Sequence, residues 1–256
     1  MPNIKISDLN TKAPKLLEKY KIKKETSKLA KKIQVQVSKM YAEKKYSLLV
    51  VLQGMDSSGK DGVSREVFSE VSPTMVSAYS FKKPSDIEFA HDFLWRVHKQ
   101  TPEKGEVKLF VRSHYEDVLI QRVHSWIDED RVDMRINAIN AFEELLEKDN
   151  NTVVMKFFLN LSKEKQKEKL LERIENPDKN YKHNDGDWNE RKLWDKYMDA
   201  YENMLNKSKI PWIPVPADQR WYRNYFVAKS VLEKLESLNL EFPALQEKPN
   251  IDIENA

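Results

Sequence analysis

The chain has no cysteine and only five glycines in 256 residues. The first absence excludes disulfides, thiolate metal ligands and a cysteine nucleophile, and suits a reducing compartment. The second makes each glycine informative, and two of them, Gly54 and Gly59, bound one short loop. No stretch approaches the roughly 18 consecutive apolar residues that span a bilayer. The lysine-rich segment from Met1 to Lys24 has no continuous apolar core, so a soluble, cytoplasmic protein with no membrane partner is expected. Nor is one charge in excess: 44 basic against 41 acidic residues leave +3. No nucleic-acid partner is expected from that balance, and any polyanion site must come from local clustering. The 40% hydrophobic content suffices to bury a core as one domain over 1–256.

What is present is concentrated after the apolar run Tyr46 to Gln53. There Gly54-Met55-Asp56-Ser57-Ser58-Gly59-Lys60-Asp61 has the spacing of a phosphate-binding loop in its proper context, strand, glycine-bounded loop, then lysine. Gly54 and Gly59 permit the tight turn, successive N–H groups and a helix N-terminus converge on one anion, and Lys60 adds a point charge. The common form of this loop ends in Lys-Ser or Lys-Thr. Here Asp61 follows the lysine and Asp56 lies inside the loop. Two carboxylates beside a polyanion make sense with a hard cation between them, so Asp56 and Asp61 are metal candidates and Mg2+ is the expected cofactor. An ordinary polar turn built from glycine, serine and aspartate is the competing reading.

Strand-like runs at Ser47–Gln53, Met75–Phe81, Val107–Val111, Thr152–Leu159 and Trp212–Val215 alternate with helical spacing. The separations suit crossover helices, which predicts an α/β fold with a mainly parallel five-stranded sheet. Helices are expected over Glu25–Tyr41, from an N-cap at Ser85 to about Gln100, and over Val132–Lys148, Lys163–Glu175, Asn189–Asn206 and Trp221–Leu238. The polar ends, about 1–12 and 243–256, are expected to be poorly ordered.

Three further groups stand out. Arg112-Ser113-His114-Tyr115-Glu116-Asp117 follows the strand ending at Val111, and ligands in open parallel sheets lie beyond the strands' carboxyl ends. Arg112 is placed there to stabilise charge on a transferring phosphoryl group, or else pairs with Glu116 or Asp117. Second, a helix stops at Pro177 and is followed by a polar, cation-rich loop. An insertion over about 173–192 reads as a lid bringing Arg173, Lys179 and Lys182 to a polyanion and excluding water, with Asp187 as cap of the next helix. Third, Lys82, Lys83 and Arg223 are surface charges taken singly, and a basic track for an extended anion taken together. His91 and His98 have packing or surface roles, since no second ligand pair has metal spacing.

The loop Gly54 to Gly62, the run His91-Asp92-Phe93-Leu94-Trp95-Arg96-Val97-His98 and Arg112 to Leu119 resemble the polyphosphate kinase 2 family. So do Glu172 to Pro177, Leu193 to Tyr197, Pro216-Ala217-Asp218 and Trp221 to Asn224, over roughly residues 25 to 243. The resemblance implies a thymidylate-kinase-like P-loop kinase fold with a helical lid. It also implies transfer of the terminal phosphoryl group of inorganic polyphosphate to AMP, ADP or both, reversibly and with magnesium. It assigns catalysis to Asp56, Lys60 and Arg112, phosphate and nucleotide binding to Gly54, Met55, Ser57, Ser58, Gly59, Asp61 and Gly62, lid roles to Arg173, Lys179 and Lys182, and a polyphosphate channel to Lys82, Lys83 and Arg223. Adenine or guanine nucleotides, and a homodimer or homotetramer with the apolar N-terminal helix as interface, are the implied partners.

The Ser113 to Asp117 run is similar to the subgroup acting on both AMP and ADP. Val111 departs from it: the position before the arginine is usually asparagine in that subgroup and aspartate in the ADP-preferring one. Valine offers neither a metal ligand nor a side-chain hydrogen-bond acceptor, which concentrates metal binding on Asp56 and its neighbours. From the residues alone, an ATP-dependent nucleotide or nucleoside kinase and a non-catalytic nucleotide- or polyanion-binding module remain open.

Overall fold

The structure is a computed structural model that describes residues 3–245. Five strands, β1 (Ser47–Gln53), β2 (Val76–Tyr79), β3 (Val107–Val111), β4 (Thr152–Asn160) and β5 (Trp212–Pro216), form one sheet in the order β2-β3-β1-β4-β5. Every pairing is parallel. β1 and β4 are buried along their whole length because helices cover both faces, which is why they read as near-continuous apolar runs. This is the expected α/β class, and β1 and β3 are neighbours.

The helices are α1 (Lys19–Glu43), α2 (Lys60–Val67), α3 (Asp86–Phe89), α4 (Trp95–His98), α5 (Ile120–Val123), α6 (Glu129–Asn150), α7 (Lys163–Glu175), α8 (Asp185–Lys192), α9 (Trp194–Lys207) and α10 (Arg220–Glu236). α1, α2 and α10 cover one face of the sheet, while α6 and α9 cover the other. No helix among the described residues is long and apolar enough to cross a membrane.

Several expectations are corrected. The apolar stripe of α1, Leu29, Ile33, Val37 and Met40, packs inside the protein with Val227, Val231 and Leu235 of α10, so that stripe is core rather than an interface between copies. Ser85 does cap a helix, with a full capping box to Glu88, but that helix ends at Phe89. The chain restarts where the Asp92 carboxylate accepts from the N–H groups of Leu94 and Trp95, a local bond that competes with helix continuation. The segment expected as Asn189–Asn206 is likewise two helices, α8 and α9, meeting at Leu193.

The N-terminal residues from Ile4 to Ala13 are docked rather than loose. Asn160 Nδ2 donates to the carbonyls of Leu9 and Asn10, Thr11 Oγ1 donates to Asp218, and Ile6 is buried. Their partners sit at the ends of β4 and β5, distant in sequence. The expectation for the C-terminus over 246–256 lies outside the described residues; 243–245 are exposed coil.

Candidate active site

The site is a cleft of about 400 Å3 along the carboxyl edge of the sheet. Its floor is the loop between β1 and α2. Gly54 and Gly59 have φ of 148° and 92°, which side chains rarely adopt. A Cβ on Gly59 would also stand 1.9 Å from Arg223 Nη1, and one on Gly54 2.7 Å from the Leu159 carbonyl oxygen. Loop shape and close packing therefore require both glycines.

Lys60 is the first residue of α2 and is buried, its Nζ donating to the carbonyl oxygens of Gly54 at 2.7 Å and Met55 at 3.3 Å. Burial lowers its pKa, with Asp56 acting against that shift. Of the N–H groups from Met55 to Gly62, only that of Ser58 finds an acceptor in the described residues, and Gly59 caps α2 without a side chain. The buried hydroxyls of Ser57 and Ser58 have no partner either. Buried polar groups are nearly always paired, so this set of orphans points at a missing ligand rich in oxygen. Met55 belongs to the loop by backbone only; its side chain packs in the core.

Arg112 enters from the end of β3, because β3 lies beside β1. Its Nη2 donates to Asp56 Oδ1 at 2.8 Å, and neither side chain is fully buried. The partner is thus Asp56 across the cleft, not Glu116 or Asp117 in its own turn. Burial works to raise the Asp56 carboxyl, and Lys60 and Arg112 outweigh it, leaving Asp56 below its ordinary value. Glu116 behaves oppositely: burial raises it despite the charges of Arg112 and Lys60. Sequence reading treated Glu116 only as a local partner for Arg112, and the signal it missed was the spacing, since four residues on, the 3₁₀ turn His114–Asp117 returns the chain towards Lys60.

The other predicted residues separate. Asp61, Gly62, Lys82, Arg173, Lys179 and Lys182 all line the cleft. Lys83 is exposed and does not. Arg223 reaches the wall, but it is only 4% exposed and its Nη1 donates to the Ser58 carbonyl at 2.8 Å. It supports the loop from behind more than it offers an open channel surface, and burial lowers its pKa to about 10. Arg173 is paired with Asp187 and also donates to the Lys182 carbonyl, while Lys179 pairs with Glu172. Asp187 is therefore the partner of Arg173 and not a helix cap; Asn184 caps α8. Hydrogen bonds from Lys169 and Lys179 hold the Glu172 carboxyl down to about 2. Lys165, Lys169 and Arg220 also line the cleft. Nothing in the sequence distinguished them from solvated charges.

Val111 is buried and forms an apolar part of the wall beside Arg112. Among the described residues no three histidine, aspartate or glutamate side chains converge as a metal cluster.

An AMP/ADP-polyphosphate phosphotransferase of Meiothermus ruber is 44% identical over 207 residues, which cover 80% of this chain and 77% of that protein. An ADP-polyphosphate phosphotransferase of Rhodopseudomonas palustris is 40% identical over 219 residues, covering 80% and 75%. The crystal structure of polyphosphate kinase 2 from Arthrobacter aurescens TC1 superposes with a TM-score of 0.94 at 36% identity, over 97% of this chain and 91% of that one. With the phosphate loop opening a parallel P-loop kinase sheet and the family description polyphosphate kinase 2 matching residues 16–243, the chain belongs to the polyphosphate kinase 2 family.

Proposed function

We propose that this protein transfers the terminal phosphoryl group of inorganic polyphosphate to AMP and ADP, and that the orphaned donors of the loop carry the reading. A polyanion fits a cradle of unpaired N–H groups and two buried hydroxyls beside Lys60, Arg112 and Arg173. Relatives named for AMP/ADP and ADP phosphotransfer from polyphosphate support the substrate class.

In this reading Lys60 exchanges the carbonyls of Gly54 and Met55 for phosphate oxygens. Arg112, held by Asp56, faces the equatorial oxygens of the transferring group. The acceptor nucleotide's terminal phosphate oxygen attacks the end phosphorus in line, and its bond to that phosphorus forms as the bridging oxygen leaves with the shortened chain. The chemistry is positioning plus charge stabilisation, with no covalent enzyme intermediate. The segment 173–192 acts as a lid: Arg173, Lys179 and Lys182 exchange Asp187 and Glu172 for phosphate when it closes, which keeps water from competing as acceptor.

A hard cation suits the donor set, because Asp56 and Asp61 line one cleft and their carboxylates would hold it beside phosphate oxygens. When bound, magnesium supplies charge neutralisation between phosphate oxygens. Val111 departs from both subgroup patterns, so acceptance of both AMP and ADP rests on the Ser113 to Asp117 run and on the relative named for both acceptors. The guanine nucleotides, a cytoplasmic location and a homodimer or homotetramer belong to the same proposal.

The test supplies Mg2+ and long-chain polyphosphate with AMP or ADP separately and separates the products by chromatography. ADP and ATP from AMP, and ATP from ADP, are expected. Lys60→Ala and Asp56→Asn should each cost on the order of 10² to 10³ in rate, the size of losing one stabilising group in such a site. No product from either acceptor, with transfer from ATP instead, overturns the reading.

A further inference from the structure

A second charged cluster lies on the α6 face of the sheet, and the function above gives it no role. Lys156 in mid β4 and Glu143 on α6 are wholly buried. Lys156 Nζ donates to Glu143 Oε2 and to Tyr115 Oη, both at 2.6 Å. The Tyr115 hydroxyl donates to Glu143 Oε1 at 2.9 Å, and His114 Nε2 lies 3.2 Å from the same oxygen. Trp212 Nε1 donates to Ser208 Oγ, which sits 3.3 Å from Tyr115 Oη and closes the group.

Such a pair is a poor source of stability, since well-packed apolar residues often replace buried ion pairs at no loss. Its connections lead to the active site instead. Tyr115 and His114 belong to the turn that follows Arg112. In that turn Ser113 Oγ accepts from Gln53 at 3.0 Å, and Asp117 accepts from Gln121 at 2.7 Å and Arg96 at 3.4 Å. Ser113, His114, Tyr115 and Asp117 are thus each held by a side-chain partner, Ser113 by the last residue of β1. Arg112 itself has φ of 67°. That left-handed conformation is unfavourable for an L-residue and persists only where the surroundings over-determine it.

We propose that the Glu143–Lys156 pair, acting through Tyr115 and His114, is a positioning device that aims Arg112 at the phosphate loop. It reaches the reaction only through Arg112, and so rests on the role given to Arg112 above. Lys156 and Glu143 touch no substrate; they fix the turn whose first residue does.

The test is a double-mutant cycle. Lys156→Met together with Glu143→Leu removes both charges while keeping volume. The variant is expected to melt no lower than the wild type, yet kcat should fall on the order of 10²-fold, the effect of misplacing a catalytic group by about 1 Å. Introduced into Arg112→Ala, the same pair should cost nothing more, because what it positions is gone. Wild-type kcat in the folded double variant, or an equal fold-loss with and without Arg112, overturns the proposal. Should the double variant not fold, Tyr115→Phe deletes one hydroxyl and carries the same cycle: an Arg112-dependent loss supports the device, an Arg112-independent loss or none removes it. Arg112→Ala at the wild-type rate is a separate outcome, which strikes the role of Arg112 itself.

Discussion

The cleft and the interior of β4 both set cations against carboxylates, and they differ in how completely the partners are matched. Around Lys156 the ammonium and carboxylate are closed on protein, with His114 Nδ1 the one buried atom of the cluster left without a partner among the described residues: burial works to raise the Glu143 carboxyl, Lys156 and His114 outweigh it, and Glu143 ends below its ordinary value. Around Lys60 the partners are provisional. Its ammonium rests on two backbone carbonyls, Arg112 holds a half-open Asp56, and the hydroxyls of Ser57 and Ser58 hold nothing. A closed network specifies geometry, whereas an open one keeps its donors available for a ligand.

The sharpest way to break this comparison is to remove one cation from each cluster. Lys156→Met alone leaves Glu143 buried and unpaired, and should destabilise the protein by about 3–5 kcal/mol in urea melts. Arg112→Ala breaks a part-exposed pair and should cost no more than about 1 kcal/mol in the same melts, while lowering the transfer rate on the order of 10²- to 10³-fold. Equal destabilisation by the two would erase the distinction.

A smaller effect separates Asp56 and Glu116, two carboxylates whose charges act on Lys60. Burial raises the folded pKa of Glu116, so its neutral form favours folding. That contribution is complete below the ordinary glutamate value of 4.5 and is lost as pH rises through the raised folded value. Glu116→Gln should therefore melt higher than the wild type at neutral pH, with the gap closing below pH 4.5. Asp56 has the opposite shift, so its stabilising contribution is present above the ordinary aspartate value of 3.8 and is lost as pH falls through the lower folded value. Asp56→Asn should show no such neutral-pH gain. Calorimetry across pH decides between them.

The smallest prediction concerns the neighbouring lysines after β2. Lys82 lines the cleft and Lys83 does not. Lys82→Ala should raise the KM for polyphosphate by up to about fivefold, the size of one exposed ionic contact, and Lys83→Ala should leave it unchanged. Equal effects would restore the pair as one track.

Much of this was legible because the signals are local. The run Ser47 to Gln53 followed by Gly54 and Lys60 fixes strand, loop and helix start within fourteen residues, and each residue type answers a backbone or charge requirement there. The α/β class followed from alternating periodicities. What escaped depended on distant partners. The N-terminal segment looked like a loose polar tail because Asn160 and Asp218, which hold it, are far away in the chain. Arg223 looked like a free surface cation, yet it lies beneath Gly59 because α10 packs against α2. Periodicity predicts too long a helix after Ser85 because it does not register that Asp92 bonds its own backbone neighbours.

The sequence by itself determined the phosphate loop, the parallel sheet and the place of Arg112 after a strand, since each rests on residues adjacent in the chain. Only the tertiary structure decided that Arg112 faces Asp56, that the half-buried Glu116 comes near enough to Lys60 for their charges to interact, and that Lys156, Glu143 and Tyr115 meet behind them. The physical reason is that charge pairing and burial depend on distance in space, and the order β2-β3-β1-β4-β5 brings together groups the chain keeps apart.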